Sequence, residues 1–414
     1  MAANPAKTGN SPQSSHPIVF LVLYLPFGIF PGYLTVTLAY LFSKNGVPVA
    51  EIAGLAAVNL LPQVLKVIWA PIVDATLSLK KWYVIATFIV AGCLLATGIV
   101  PMHSTGLQFL TWMTVISSIG RTLVSASAGS LAAHDTTGNM KGRVGGYIQA
   151  GNLGGMGIGG GVGLWLAKHT DFVWVPAATL SLVCILCCLG LFMLKEPVSV
   201  IRVKNIGKTL DNVLKDIWLT IKTKTGLLAL ILSLVPIGTG AAGNLFAAIA
   251  KDWRAGADLV ALVTGITGGI VTIAGSFLGG WLCDLMDRKG TYILFGLLQA
   301  ASLLGMAFCP HTPVMYAIWT LLYTFIFGIV AAAYVAFVLE AIGGGAAASK
   351  YELYLSAGYL PTYLMVIVGG MAYTRWGGNG ILETEAVLSV VAALLFFGAR
   401  AIINRTKIKE SAQG

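Results

Sequence analysis

Long apolar runs separated by short polar turns dominate the pattern along the 414-residue chain. A helix that crosses a bilayer needs about 20 mostly apolar residues, and twelve runs meet that requirement. The pattern therefore predicts an all-α polytopic membrane protein with twelve transmembrane helices. They are predicted at about 17–43, 49–74, 82–101, 107–133, 143–167, 172–194, 225–250, 257–284, 291–309, 314–340, 350–374 and 384–404.

One long polar connection, Lys195 to Thr225, divides the runs into six and six. The predicted organisation has two six-helix bundles with a linker between them and a polar tail at each end. Its parts are a disordered tail at 1–16, a bundle at 17–194, a linker at 195–224, a bundle at 225–404 and a tail at 405–414.

Within the linker, apolar residues recur at helical spacing while Lys208, Lys215 and Lys222 occupy the other side. This pattern predicts an amphipathic helix on the inner leaflet, with its lysines near anionic headgroups. A tether between two bundles is the favoured role, and binding of a calmodulin-like partner is the alternative. The apolar positions are Leu210, Val213, Leu214, Ile217, Trp218 and Ile221.

The two halves contain related segments at corresponding positions. The second predicted helix is followed by "WAPIVDATLSLKKW" (69–82) and the eighth by "GGWLCDLMDRKGTY" (279–292). In each, an acidic residue at the helix end, Asp74 or Asp284, precedes a short basic turn. Internal duplication of this kind is common in secondary transporters, whose sites lie between the repeats. We assign Asp74, Asp284, Asp287 and Arg288 to a cytoplasmic gate.

Composition agrees with a membrane protein and limits the function. Of the residues, 57% are hydrophobic and 10% charged, against about 25% charged in soluble domains. The net charge of +10 could indicate nucleic acid, but topology explains it. With both termini in the cytoplasm, 19 of the 26 Lys and Arg residues are inside and 5 outside, as the positive-inside rule requires. The remaining two are Lys66 and Arg121, and no nucleic-acid partner is predicted.

No cofactor or metal site is predicted. The pair Cys184-x-x-Cys187 has redox or zinc spacing, yet it lies in an apolar run without a partner His, which favours packing. The Gly-rich stretch 151–163 contains a G-x-G pattern but follows no strand, which excludes a nucleotide fingerprint. Small residues at this density predict close helix packing instead.

Two positive charges, Lys66 and Arg121, lie well inside predicted spans and away from their ends. A charge at the bilayer centre costs at least about 2.5–3.5 kcal/mol, so such residues usually face a cavity or a partner. Lys66 shares a helical face with Asn59 and Gln63, and Arg121 lies among four serines. These residues predict a positive, hydrogen-bonding wall for an anionic or polar substrate. Structural roles remain open for both cations, and for Lys66 the role would be an inner-gate contact with Asp74 or another helix end.

The eleventh helix supplies a second polar face, with Glu352, Ser356, Tyr359 and Tyr363 at helical spacing. It suits stacking on a sugar, peptide or aromatic siderophore, or else an inter-helix polar seam. The predicted substrate-binding residues are Asn59, Gln63, Lys66, Arg121, Tyr33, Tyr359 and Tyr363. Proton coupling needs a buried carboxylate whose pKa can rise, and the candidates are Glu51, Glu340 and Glu352, none of them at mid-membrane.

The segment Gly280-x-x-x-Asp284-x-x-Asp287-Arg288-Lys289-Gly290 resembles the loop signature of the major facilitator superfamily, and twelve helices with a long central loop resemble that superfamily over nearly the whole chain. The first copy departs from the signature. With 24–42, "YLPFGIFPGYLTVTLAYLF", it resembles the AmpG-type muropeptide permeases, grouped with acetyl-CoA transporters. Some siderophore importers look similar, and the chain is short for a muropeptide permease.

The resemblance implies proton-coupled import into the cytoplasm across a bacterial inner membrane, with helices 1, 4, 7 and 10 lining a central cavity. The partners expected are a small-molecule substrate, protons and the lipid bilayer, and the protein is expected to be a monomer. A membrane-embedded acyltransferase is the alternative of another class. It would need His, Asp or Cys clustered at one membrane face, whereas the five His residues are dispersed. A transporter, and not an enzyme, is therefore predicted.

Overall fold

The structure is a computed structural model in which every regular element of the described ranges is helical. It describes residues 15–45, 58–59, 61–100, 106–136, 138–170, 172, 174–197, 206–343 and 345–411. Twelve transmembrane helices, α1–α12, form two six-helix halves. Within the described ranges, seven helical stretches, with α11 and α12 counted as one, could cross a bilayer by length and composition alone.

The first half contains α1–α6, of which α1 and α5 are interrupted by π-helical segments at Tyr33–Leu38 and Ile158–Val162. Of α2, the described ranges contain the helical residues 58–59 and 61–65, the turn Lys66–Ile68 and the helix Ala70–Ala75. The other bounds are Ile18–Gly32 and Ala39–Lys44 (α1), Leu79–Thr97 (α3), Leu107–Asp135 (α4), Lys141–Gly157 and Gly163–His169 (α5), and Trp174–Cys187 with Cys188–Met193 (α6).

The second half contains α7–α12. The predicted span 225–250 is not one helix: α7 ends at Leu234 and resumes at Ala241. The bounds are Lys224–Leu234, Ala241–Asn244, Phe246–Ile249 and Ala250–Trp253 (α7), Ala257–Ala261, Leu262–Ile266 and Thr267–Leu285 (α8), Arg288–Phe308 (α9) and Pro313–Ile342 (α10). The helix Ala347–Ser411 contains α11 and α12, divided at Gly377, where φ is 69°.

The linker contains a helix, Ile206–Lys222, that meets the first segment of α7 at 87°. We call the end of the bundle that bears this linker helix the linker end. Val213 is buried against the bundle, whereas Leu214 and Trp218 are more than half exposed. Because the helix lies across the bundle axis, those exposed side chains suit a membrane surface.

Glycines allow the helix backbones to touch. A Cβ on Gly151, Gly155 or Gly159 of α5 would lie less than 3.0 Å from a backbone oxygen of α1. The same is true between the halves, where a Cβ on Gly146 would meet the backbone of α8. The Gly-rich run of α5 is thus a packing surface, and α5 with α8 forms much of the seam between the halves.

Candidate functional site

Arg121 lies on α4 where the first half faces α11, and only 4% of its surface is exposed. Its Nε donates to the carbonyl of Phe27 at 2.6 Å, and its Nη1 donates to Oδ1 of Asn59 at 2.8 Å. The guanidinium also lies 4.6 Å from the centre of the Phe27 ring. Among the described residues it has no carboxylate within ion-pair distance. Its positive charge is therefore solvated by neutral groups alone.

The acceptor at Phe27 follows from the sequence of α1. In an α-helix the carbonyl of residue 27 accepts from the N–H of residue 31, and residue 31 is Pro31, which has no N–H. The carbonyl that proline leaves free is the one that Arg121 takes. Asn59 is fixed in turn by the hydroxyl of Ser118, which donates to Oδ1 at 2.6 Å. Both neutral acceptors are thus held in place before any ligand arrives.

Lys66 and Glu352 form an ion pair across the seam. Nζ of Lys66 on α2 lies 2.7 Å from Oε2 of Glu352 on α11, and both side chains are almost completely buried. Beyond this pair, neither charged group makes a hydrogen bond within the described part of the chain. Nζ also lies 4.9 Å from the ring centre of Tyr359. The alternative of a direct Lys66–Asp74 ion pair is not what the structure shows.

The remaining polar side chains follow the same faces. Gln63 is 2% exposed, and neither atom of its amide has a partner among the described residues. Along α11, exposure increases from 0% at Glu352 through 6% at Ser356 to 50% at Tyr363. This gradient fits a cleft closed toward the linker end. We name Asn59, Gln63, Lys66, Arg121, Glu352 and Tyr359 the polar cluster.

Below the cluster, Asp74 of α2 caps a helix of the other half. Its carboxylate accepts from the backbone N–H groups of Ala348 and Ser349, at 3.3 and 2.8 Å, and from the Ser349 hydroxyl at 2.7 Å. These N–H groups belong to the first turn of α11, where a helix has no internal partners for its donors. A carboxylate there is favoured by the hydrogen bonds and by the helix dipole.

Asp284 of α8 makes the equivalent contact in the opposite direction. It accepts from the N–H groups of Gly142 and Arg143 at 2.9 and 3.3 Å, in the first turn of α5. The Arg143 side chain adds an ion pair at 3.2 Å. Each half therefore caps a helix of the other with the acidic residue of its repeated segment. The duplication in the sequence has become a pair of inter-half contacts.

Two more contacts close the linker end. The hydroxyls of Tyr24 on α1 and Tyr351 on α11 lie 3.0 Å apart. On the linker helix, Asp216 accepts from the N–H of Ala346 at 2.7 Å and pairs with Lys350 at 3.0 Å. The linker helix is thus attached to the beginning of α11, the helix that Asp74 also caps.

The family can now be identified from comparison with known proteins. The sequence profile of the Major Facilitator Superfamily matches residues 18–362, most of the chain. The chain belongs to the Major Facilitator Superfamily. No curated protein matches it closely enough to be informative.

Solved structures of this transporter superfamily have the same fold at low identity. The E. coli fucose:proton symporter FucP superposes with a TM-score of 0.70 at 14% identity, covering 92% of this chain and 97% of that one. The proton:xylose symporter XylE, bound to 6-bromo-6-deoxy-D-glucose, gives 0.68 at 15%, covering 92% and 95%. The human organic anion transporter MFSD10 gives 0.64 at 14%, covering 92% and 98%. These similarities establish the fold of a multi-pass membrane protein.

Other predicted residues of this superfamily member lie apart from the polar cluster. Tyr33 is fully buried in an apolar cluster that packs α1 against α3 and α6. Glu340, at the end of α10, pairs with Arg288 at 3.1 Å and Lys289 at 3.6 Å. Asp287 accepts from Gly290 N–H and caps its own helix, α9. Arg288 also donates to the carbonyl of Gly138, which links α9 to the turn before α5. Glu51 lies outside the described residues.

Near these linker-end contacts, Lys141 donates to the carbonyl of Leu339 at 2.8 Å. The linker end therefore combines caps, ion pairs and this hydrogen bond.

Sequence reasoning missed several residues that the structure brings to the site. Phe27 could have been found from the Pro31 that follows it by four residues. The sequence shows Ser118 only as one of the four serines around Arg121. Tyr24 and Tyr351 gave no signal of a contact, because they are 327 positions apart.

Proposed function

We propose that this superfamily member is a secondary active transporter that imports an anionic or polar small molecule by alternating access. The observation that supports it best is the Arg121 guanidinium, buried at the seam with neutral partners and no counterion among the described residues. A planar guanidinium binds carboxylate or phosphate with two hydrogen bonds. An anionic substrate would supply the missing negative charge.

The Lys66–Glu352 pair suits the coupling of substrate to the closure of the cleft. It joins α2 to α11 across the seam, and an anion between Lys66 and Arg121 would compete with Glu352 for the ammonium group. Burying two charges is costly unless they remain paired. Substrate binding that weakens this pair would therefore bias the two halves toward separation, as alternating access requires.

For the substrate we propose a muropeptide-like sugar–peptide, taken up together with protons across a bacterial inner membrane. A peptide carboxylate matches Arg121, and sugar hydroxyls match Asn59, Gln63 and Tyr359. FucP and XylE, which share the fold, are described as proton symporters. We further propose that the linker end faces the cytoplasm, with both termini on that side, and that the monomer is the working unit.

The test is a ligand-binding screen on the purified protein by thermal stabilisation. The panel contains an anhydro-muropeptide, a ferric siderophore and an acyl-CoA ester, applied to wild type, Arg121→Ala and the matched control Arg375→Ala, whose arginine lies on exposed surface. Stabilisation by the muropeptide that Arg121→Ala loses and Arg375→Ala keeps supports the proposal. Stabilisation by the siderophore alone would show that the substrate is a siderophore and not a muropeptide. An Arg121→Ala protein that binds the ligand normally would refute the assignment of Arg121 to the binding site.

A further inference from the structure

A second polar site lies inside the second half, where α7 is broken. Between Leu234 and Ala241 the backbone leaves the helix, and Gly238 and Gly240 have φ values of 64° and 71°. There is also no room for a side chain at either position. A Cβ on Gly240 would lie within 3.0 Å of the Phe327 ring, and a Cβ on Gly238 would lie equally close to the Val330 side chain. The break is thus fixed by residue type and packing.

Side chains from three neighbouring helices satisfy three of the carbonyl groups that the break exposes. Ser389 of α12 donates to the carbonyl of Pro236 at 3.0 Å, and Thr362 of α11 donates to that of Thr239 at 3.4 Å. Tyr292 of α9 donates to the carbonyl of Ile237. Backbone groups buried in a membrane need such partners. Because each is supplied by a side chain, the break is a built feature of this half.

The donor side of the break meets one carboxylate, that of Glu385 on α12, which is 4% exposed. Its Oε2 accepts from the N–H of Ala242 at 2.5 Å. Its Oε1 accepts from the hydroxyls of Thr239 and Tyr323, both at 3.1 Å. Glu385 therefore joins the restarted part of α7 to α10 and α12.

No described Lys, Arg or His pairs with Glu385. The groups that contact it are Tyr323 from α10 and Thr239 and backbone N–H from α7. The Gln299 amide of α9 lies beside Tyr323. The acid of α7 that approaches α12 is the exposed Asp252. It lies beside Gly378, about two helical turns along α12 from Glu385. A buried carboxylate without a cation is a group whose charge depends on its local hydrogen bonds.

Gln299 provides the independent sign of a ligand. It is 1% exposed, and neither its amide nitrogen nor its amide oxygen has a hydrogen-bond partner among the described residues. The hydroxyl of Thr320, also fully buried, is likewise unpartnered there. Buried polar groups left in this way are uncommon in folded proteins. They mark a place where a proton or a rearranged hydrogen bond can be accepted.

We infer that Glu385 is a proton-binding site whose protonation releases the restarted segment of α7. The inference rests on the proposed proton-coupled transport and assigns the proton to a residue outside the polar cluster. When the carboxylate takes up a proton, it loses part of its ability to accept from Ala242, Thr239 and Tyr323. The new O–H then needs a neutral acceptor, and we propose the oxygen of Gln299, the amide that lies beside Tyr323. Segment 241–253 then moves independently of α12.

A proton fits this site better than a metal cation does. The three groups that contact the carboxylate all point hydrogens at it, whereas a cation needs oxygen lone pairs directed inward. The N–H of Ala242, at 2.5 Å from Oε2, would repel a cation. A sodium ion is the alternative occupant, and the experiment must distinguish it from a proton.

Infrared difference spectroscopy on purified protein in nanodiscs tests proton binding without a substrate. The spectra are recorded from about pH 4 to about pH 9, which spans the range over which buried carboxyl groups titrate. We expect a protonated-carboxyl band that is lost in Glu385→Gln and kept in Glu383→Gln, the same change on the exposed face of α12. Tyr323→Phe should retain the band and move its midpoint to higher pH, because the charged form loses a donor.

Hydrogen exchange of residues 235–244 gives the conformational readout. At neutral pH, exchange in Glu385→Gln should be about tenfold faster than in wild type, as expected for losing a hydrogen bond to a charged acceptor. Glu383→Gln should match wild type. If Glu385→Gln does not fold, Tyr323→Phe alone tests the site through its shifted midpoint.

Three results would overturn the inference. One is a protonated-carboxyl band that survives in Glu385→Gln. Another is a hydrogen-exchange rate of residues 235–244 that changes neither with pH nor with the Glu385→Gln substitution. The third is protection that appears when sodium chloride replaces choline chloride at fixed pH, which would assign the site to a cation. Failure of the proposed function is distinct: it would appear as uptake that a protonophore leaves unchanged, whatever the infrared spectra show.

Discussion

The paired caps at the linker end give the most quantitative prediction. Asp74 and Asp284 each supply, from the other half, the carboxylate that a helix end needs, for α11 and α5 respectively. Replacing either by Ala removes the cap while leaving the helices themselves intact. Replacing either by Asn retains an oxygen acceptor and removes only the charge. The Asn variants are therefore matched controls.

The magnitude follows from the contacts. Loss of a capping side chain costs about 0.5–2 kcal/mol, typically about 1. This free energy is present only while the halves are in contact, so its loss favours the state that is open at the linker end. About 1 kcal/mol corresponds to roughly a fivefold change in the equilibrium, and about 2 kcal/mol to roughly thirtyfold. The exposed Arg143 side chain of the ion pair with Asp284 adds little.

The two caps lie at different helices and share no partner, so their effects should add. We therefore expect each Ala variant to shift the equilibrium about fivefold and the double variant about thirtyfold. The Asn variants should shift it less, because Asn is nearly as good a cap as Asp. The measurement is the inter-half distance at the linker end by electron–electron double resonance, between spin labels placed in the turns after α2 and α8.

A double Ala variant with the same distance distribution as wild type would contradict this role for the two caps. Asn variants that open the linker end as far as the Ala variants would also contradict it, because the charge of the carboxylate, and not its hydrogen bonds, would then hold the halves together. Separate melting of the purified variants shows whether the protein remains folded.

Three further predictions concern other contacts. Lys66→Met should destabilise the protein by about 3–5 kcal/mol because it leaves Glu352 buried without a partner. The double variant Lys66→Met with Glu352→Leu should recover most of this loss in thermal melts, and equal melting temperatures of the single and double variants would contradict the ion pair. Gly155→Leu should abolish the close packing of α1 on α5 and reduce folded yield in size-exclusion profiles, whereas Gly157→Leu, where a Cβ has open space, should not. Asp216→Ala should speed hydrogen exchange at the start of α11 and within the linker helix. The control is Asp211→Ala, which changes an exposed acid on the same helix. Unchanged exchange in Asp216→Ala would show that the linker helix is not attached to α11 there.

Much of the fold follows from patterns of single residues. The twelve apolar runs and the polar linker predicted the two halves, and the superfamily and its twelve-helix fold are confirmed. The Gly-rich runs predicted close helix packing, since small residues leave room for backbones wherever they lie. The break in α7 was missed because Val235, Pro236 and Ile237 continue an apolar run, and its two glycines look like ordinary helix glycines.

The candidate site was partly visible for a similar reason. Charged residues in an apolar helix stand out, so Lys66 and Arg121 were found, and Asn59 and Gln63 followed from helical spacing. Partners on distant helices could not be found this way. The sequence indicates Glu352 as a coupling acid but not as the partner of Lys66, and it gives no reason to single out Glu385. Nothing in the local sequence shows that Glu385 contacts the broken helix at Ala242, 143 positions before it.

The central claim is that Arg121 binds the anionic group of the transported substrate. Uptake into proteoliposomes of the compound identified by the binding screen tests it most directly, for wild type, Arg121→Ala, Arg121→Lys and Arg375→Ala. The account predicts that Arg121→Ala has no uptake and that Arg121→Lys is strongly impaired, because Lys lacks the two-pronged geometry, while Arg375→Ala transports as wild type does. Normal uptake by Arg121→Ala at wild-type protein level would contradict it.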